Sequence, residues 1–104
     1  MSALRGKQKR FLRSEAHHLN PVVQIGKNGI SETLLDQVDE LLERRELIKV
    51  SLLQNTDEEA TDVADVFEAT LHCDVVQIIG RILVVYRPAS KEKYQKISNQ
   101  VRSI

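Results

Sequence analysis

Apolar residues recur along this chain with two periods, and the changes between them mark its elements. From Ser2 to about Leu19, the apolar residues Leu4, Phe11, Leu12, Ala16 and Leu19 fall in one stripe at 100° per residue. That spacing predicts an amphipathic helix, with its ordered part starting after the poor helix former Gly6. Asn20-Pro21 closes it, because a residue before proline avoids the helical region. Val22–Ile25 is β-branched and flanked by Pro and Gly, which predicts a strand. The loop Gly26-Lys27-Asn28-Gly29 follows, with Asn28 able to take a left-handed conformation. Ser31 is a natural N-cap for the clearest helix of the chain. Its apolar face is Leu34, Leu35, Val38, Leu41 and Leu42, and it runs to about Arg45.

The period then returns to two. Leu47–Leu53 predicts a strand covered on at least one face. Thr56 and Glu59 have capping-box spacing for a third helix, about Asp57 to Leu71, that buries Ala60, Val63, Ala64, Phe67 and Leu71. Val75–Ile79 and Ile82–Tyr86, joined by Gly80-Arg81, predict a tight hairpin with a type II′ turn. Both runs are nearly all apolar, which assigns them to the centre of a sheet or to positions beneath helices. Lys91–Ile104 is polar, with Tyr94, Ile97 and Val101 spaced for a short helix.

The expected fold is α/β, in the order α-β-α-β-α-β-β. It has a mixed four-stranded sheet covered by three helices, a short C-terminal helix, and the G-x-x-G loop between the first strand and the second helix. Right-handed crossovers are expected from the first strand to the second and from the second to the third. Residues 1–90 form one domain and 91–104 a polar tail or short helix. The 104 residues suffice for one domain that buries its own core, and with four aromatic residues that core is Leu, Val and Ile.

Charge changes the picture more than composition does. The net charge is zero. Residues 1–30 hold six Lys/Arg against one acid, residues 31–72 three against twelve, and residues 73–104 six against two. If the two basic ends meet in space, the domain gains one positive face. Lys7, Arg10, Arg13 and His17 form a basic row opposite the apolar stripe of the first helix, about 15 Å long.

Candidate chemistry centres on the loop. A P-loop needs glycine at Pro21 and Ser or Thr at Asn28; a dinucleotide fingerprint needs glycine at Gln24. What remains is a G-x-x-G turn of the kind that clamps a nucleic-acid backbone. Glycine lets the chain turn sharply and a phosphate come close, and Lys27 supplies charge. A plain strand-to-helix turn has the same tetrapeptide, so its place at a helix N-terminus and behind a basic helix carries the functional reading. Cys73, the single cysteine, excludes an internal disulfide and reads as a small buried thiol. Adjacent His17 and His18 point different ways on a helix, so no metal is expected. No nucleophile–base pair is visible, so an enzyme and a cofactor are not expected. No apolar run reaches the roughly 18 residues of a membrane span, and no signal peptide is visible, which favours the cytoplasm.

The segments GKQKRFLRSEAHHLNPVVQIGKNGI, RRELIKVSLL and VVQIIGRILVVYRP, in this order and spacing, resemble the CRM domain of the YhbY family over about residues 4–88. The resemblance implies a fold similar to the C-terminal domain of a bacterial translation initiation factor, with the G-x-x-G loop beside the first helix. It implies RNA as partner, here large-subunit (50S) precursor rRNA during ribosome assembly, whereas related plant-organelle domains act in intron splicing. By matching position, the expected RNA-binding residues are Gly26, Lys27, Asn28 and Gly29 of the loop and Lys7, Lys9, Arg10 and Arg13 of the first helix, with His17 extending the row. Lys49, Arg81 and Arg87 are secondary candidates, with Lys49 and Arg87 also able to pair with Glu46 or the acidic helices. Leu71-His72-Cys73-Asp74 departs from the small or glycine-containing turn common in relatives. A monomer is expected, without small-molecule substrate or membrane partner. The alternative is a module that binds a basic ribosomal protein through the acidic helices.

Overall fold

A computed structural model describes residues 3–104 of the chain; Ser2, included in the expected first helix, lies outside the described residues. The elements are α1 (Gly6–Ala16), β1 (Pro21–Ile25), α2 (Glu32–Arg45), β2 (Leu47–Leu52), α3 (Ala60–Leu71), β3 (Asp74–Ile79), β4 (Ile82–Tyr86), a 3-10 turn (Glu92–Tyr94) and α4 (Lys96–Arg102). The sheet order is β1-β2-β4-β3, with β1 parallel to β2 and the other pairs antiparallel. This is the expected mixed four-stranded sheet. The strand that returns by hairpin, β4, slots between β2 and β3.

Helices lie on both faces. Leu34, Val38 and Leu42 of α2 and Val63, Phe67 and Leu71 of α3 pack on Val23, Ile25, Ile48, Val50, Leu83 and Val85. On the opposite face, Leu12 and Ala16 of α1 and Val101 of α4 pack on Leu47, Val76, Val84 and Tyr86. The two clusters follow from the side-chain alternation of the strands, which sends Ile48 and Val50 one way and Leu47 and Lys49 the other. Burying each large apolar side chain contributes on the order of 2 kcal/mol. The five-residue apolar stripe read from the first helix lies entirely in the second cluster.

Ser31 caps α2 as expected, its hydroxyl accepting the Leu34 N–H at 3.1 Å. The Gly80-Arg81 turn has positive φ only at Gly80, as a type II′ hairpin requires. His72 takes the left-handed position that closes α3, with φ 54° and ψ 42°, where glycine is usual. The chain thereby enters β3 at Asp74 without a glycine.

Four expectations are corrected. Thr56 and Glu59 form no capping box: Thr56 Oγ1 accepts the Glu58 N–H at 3.3 Å, and α3 begins only at Ala60. The hydroxyl is spent on a local turn, so the helix starts three residues later. β3 lies at an edge and not at the centre, because β4 takes the place beside β2; Ile78 and Ile79 reach past the helices and are 38% and 53% exposed. α1 ends at Ala16, where the His17 N–H turns to Arg13 O and Ser14 O and Leu19 N bonds back to Ala16 O. The left-handed residue of the loop is Gly29 (φ 62°), not Asn28.

The C-terminal segment is anchored by a residue that periodicity did not single out. Glu46 is fully buried, with φ 66°. Its carboxylate accepts the N–H groups of Ala89 at 2.8 Å, Ile97 at 2.8 Å and Ser98 at 3.0 Å. Two of those donors belong to the first turn of α4, whose orphan N–H groups and dipole favour a negative charge. Glu46 thus ties the end of α2 to the start of α4. The two ends of the chain meet here as well: Gln8 Nε2 donates to Val101 O at 3.0 Å, and the Arg5 guanidinium donates to Ile104 O.

Candidate nucleic-acid interface

The loop forms a closed turn at the end of β1. Gly29 N–H donates to Gly26 O at 3.0 Å, leaving Lys27 and Asn28 at the corners, exposed and at negative φ. Leu53, the residue after β2, holds one root of the turn, its N–H donating to Ile25 O at 2.9 Å. Behind the turn stands Glu58, whose Oε1 accepts the Ile30 N–H at 3.5 Å. In front lies an open concavity of about 230 Å³, lined by Gln24, Lys27, Asn28, Ser31 and Gln37 among others. Only Gly29 needs its glycine for conformation; a Cβ on Gly26 would meet Asn55 and Leu53 at 3.4 Å, close to ordinary contact.

The strand register shows how loop and first helix are connected. On the α1 side of the sheet, Lys49 pairs with Val84 and Val84 with Gln77. The next row is Gln24, Ser51, Ile82 and Ile79. α1 covers Val84 and stops, so these two rows are open beyond it. A groove of about 420 Å³ runs along this edge, lined by Arg10, Arg13, His17, Lys49, Gln77 and Ile79 among others, with no carboxylate among its described lining residues. Gln24 closes the other end of the platform and also lines the loop concavity. At about 3.3 Å per residue, Lys49 and the end of β2 beside the loop are roughly 10 Å apart.

The sequence-proposed residues divide accordingly. Lys27 and Asn28 crown the loop; Arg10, Arg13, His17 and Lys49 border the groove; Lys7 and Lys9 continue along α1, with Lys7 exposed and Lys9 half-buried. Arg13 also donates through Nε to Val76 O at 3.1 Å, which fixes α1 to β3. Two secondary candidates are committed elsewhere. Arg81 donates through Nε and Nη2 to the carbonyls of Leu52 and Leu53, closing the hairpin against β2. Arg87 lies on the acidic layer: its guanidinium pairs with Asp39 at 2.8 Å and Glu43 at 3.2 Å, donates to Leu71 O at 2.9 Å, and is 14% exposed.

Gln77, Gln24 and Glu58 were not singled out from the sequence. Gln77 had a faint signal, as a lone amide in the apolar run VVQII; Glu58 had none, being one acid among twelve between residues 31 and 72. Among the described residues no cluster of metal-ligating side chains occurs, and no helix is long and apolar enough to cross a membrane. Cys73 is buried, its thiol facing Phe67 O at 3.4 Å, and burial pushes its pKa up to about 12.

The CRS1/YhbY (CRM) domain model matches residues 4–87. The chain is similar to the probable RNA-binding protein YqeI of Bacillus subtilis, 49% identical over 90 residues that cover 86% of this chain and 94% of that one. It is similar to an RNA-binding protein of Haemophilus influenzae, 41% identical over 95 residues, 91% of this chain and 96% of the other. Among solved structures it matches the solution structure of the hypothetical protein SAV1595 from Staphylococcus aureus, described there as a candidate RNA-binding protein, with TM-score 0.72 and 44% identity over 89% of this chain and 97% of that one. The chain belongs to the CRS1/YhbY (CRM) domain family.

Proposed function

We propose that this protein binds RNA through the GKNG loop and the groove beside α1, and acts on precursor rRNA of the large ribosomal subunit. The observation that carries the reading is the shared sheet face: the loop and the cations of α1 border one open platform, and the groove that joins them to it holds no carboxylate among its described lining residues. Phosphates would meet Lys27 and Asn28 at one end and Lys7, Lys9, Arg10, Arg13, His17 and Lys49 at the other. The relatives' description as RNA-binding proteins supports the same partner. The chemistry is binding, not catalysis, and the cytoplasm is the compartment in which such a particle would be met. Arg87 engages Asp39 and Glu43, two of the acids on which the protein-module alternative rests.

The test combines crosslinking in cells with a loop variant. Large-subunit precursor RNA should be recovered with the native protein and lost with the Lys27→Asp, Asn28→Asp double variant, whose two exposed corners leave folding intact. Recovery mainly of tRNA or messenger RNA would overturn the assembly role. Unchanged RNA binding by the double variant at moderate salt would overturn the clamp.

A further inference from the structure

We infer that the open sheet platform between α1 and the loop is a seat for unpaired RNA bases, and that Gln77 reads the edge of one of them. The inference rests on the RNA-binding reading above and adds a source of sequence preference, which cations on phosphates do not supply.

The first observation is a register shift in β3 between Val75 and Gln77. In a regular strand, Val76 and Gln77 would point to opposite faces. Here Val76 packs in the α1-side cluster, while Gln77 lies opposite Val84 of that same cluster. The bulge therefore turns an amide onto the cationic face, where an uninterrupted strand would aim it at the other layer. The second observation is the platform's chemistry. Its centre carries neutral groups able to donate and accept (Gln77, Ser51, Gln24), beside the apolar Ile82 and the 53% exposed Ile79. Its borders carry the charges. That order suits a strand whose phosphates lie at the rim and whose bases lie flat on apolar side chains with their edges toward amides. The groove's volume of about 420 Å³ is that of a small-molecule site, enough for one nucleotide and far too little for a duplex.

Fluorescence anisotropy at fixed salt, with short unstructured RNA strands each enriched in one base and with a blunt RNA duplex, tests this. The native protein should prefer one strand by about tenfold or more, the scale of one good amide–base pairing. Gln77→Leu, similar in size and without the amide, should flatten that preference. Gln77→Glu should weaken all single strands by placing a charge on the platform. The Lys27→Asp, Asn28→Asp variant should weaken every RNA and retain the preference. Equal binding of all strands by the native protein, or an unaltered preference in both Gln77 variants, overturns the base seat while the RNA-binding reading stands. Absence of binding to any strand, to the duplex and to rRNA overturns both.

Discussion

Glu58 occupies the space that any side chain on Gly29 would need. A Cβ at Gly29 would stand 2.7 Å from Glu58 Oε1, and the residue already sits at φ 62°. The left-handed conformation alone costs a non-glycine residue about 1–2 kcal/mol. Gly29→Ala should therefore destabilise the protein by at least that much in urea titrations. Gly26→Ala, with contacts of 3.4 Å and no positive φ, should cost clearly less. Adding Glu58→Ala to Gly29→Ala should relieve the crowding and leave the conformational cost. Equal losses at the two glycines would refute this account of the turn.

Glu46 should matter more to stability than any exposed acid. Its buried carboxylate satisfies three backbone N–H groups. Glu46→Gln keeps the volume but turns a donor toward donors, and a buried donor left unpaired costs about 1–3 kcal/mol. The expected loss is about 2–4 kcal/mol by chemical denaturation, accompanied by faster amide exchange at Ala89, Ile97 and Ser98. Exchange at the amides of β2 and β4 should rise only with the global loss.

Glu43 links stability to pH. The Ser90 hydroxyl donates to its carboxylate and Arg87 pairs with it, holding its pKa below the usual carboxylate value. A depressed carboxylate stabilises the fold above its unfolded pKa, near 4.5, and that contribution is lost as pH falls through the lower folded value. Native Tm should therefore drop more steeply below pH 4.5 than that of Glu43→Gln, and the two curves should converge in acid. Arg87→Ala should lower stability at neutral pH while leaving RNA affinity unchanged, since its guanidinium is held in the acidic layer.

Cys73 should behave as a core residue. With its thiol raised to about 12 by burial, it carries almost no thiolate at pH 8. Reaction with a thiol reagent should be slow, and its rate should follow unfolding as denaturant is raised. Fast labelling of the folded protein would contradict the packing described for the end of α3.

Periodicity and capping chemistry determined most of the fold, because the elements are local. The stripe of α1, the Ser31 cap, the Gly80-Arg81 hairpin and the α/β order can be read from spacing alone. The loop tetrapeptide and the basic row were legible for the same reason. Tertiary structure decided what spacing cannot carry. Hairpin pairing inserted β4 beside β2 and moved β3 to an edge. A single bulge put Gln77 on the same face as Lys49. Arg81, indistinguishable from a free cation in the sequence, and Arg87, which the sequence left able to pair with the acidic helices, were drawn to carbonyls and carboxylates 16 to 48 residues away. Sequence alone therefore determined which residues are candidates for a phosphate backbone. Only the packing of α1 over part of one sheet face decided which of them share an open surface, because that depends on contacts between residues far apart in the chain.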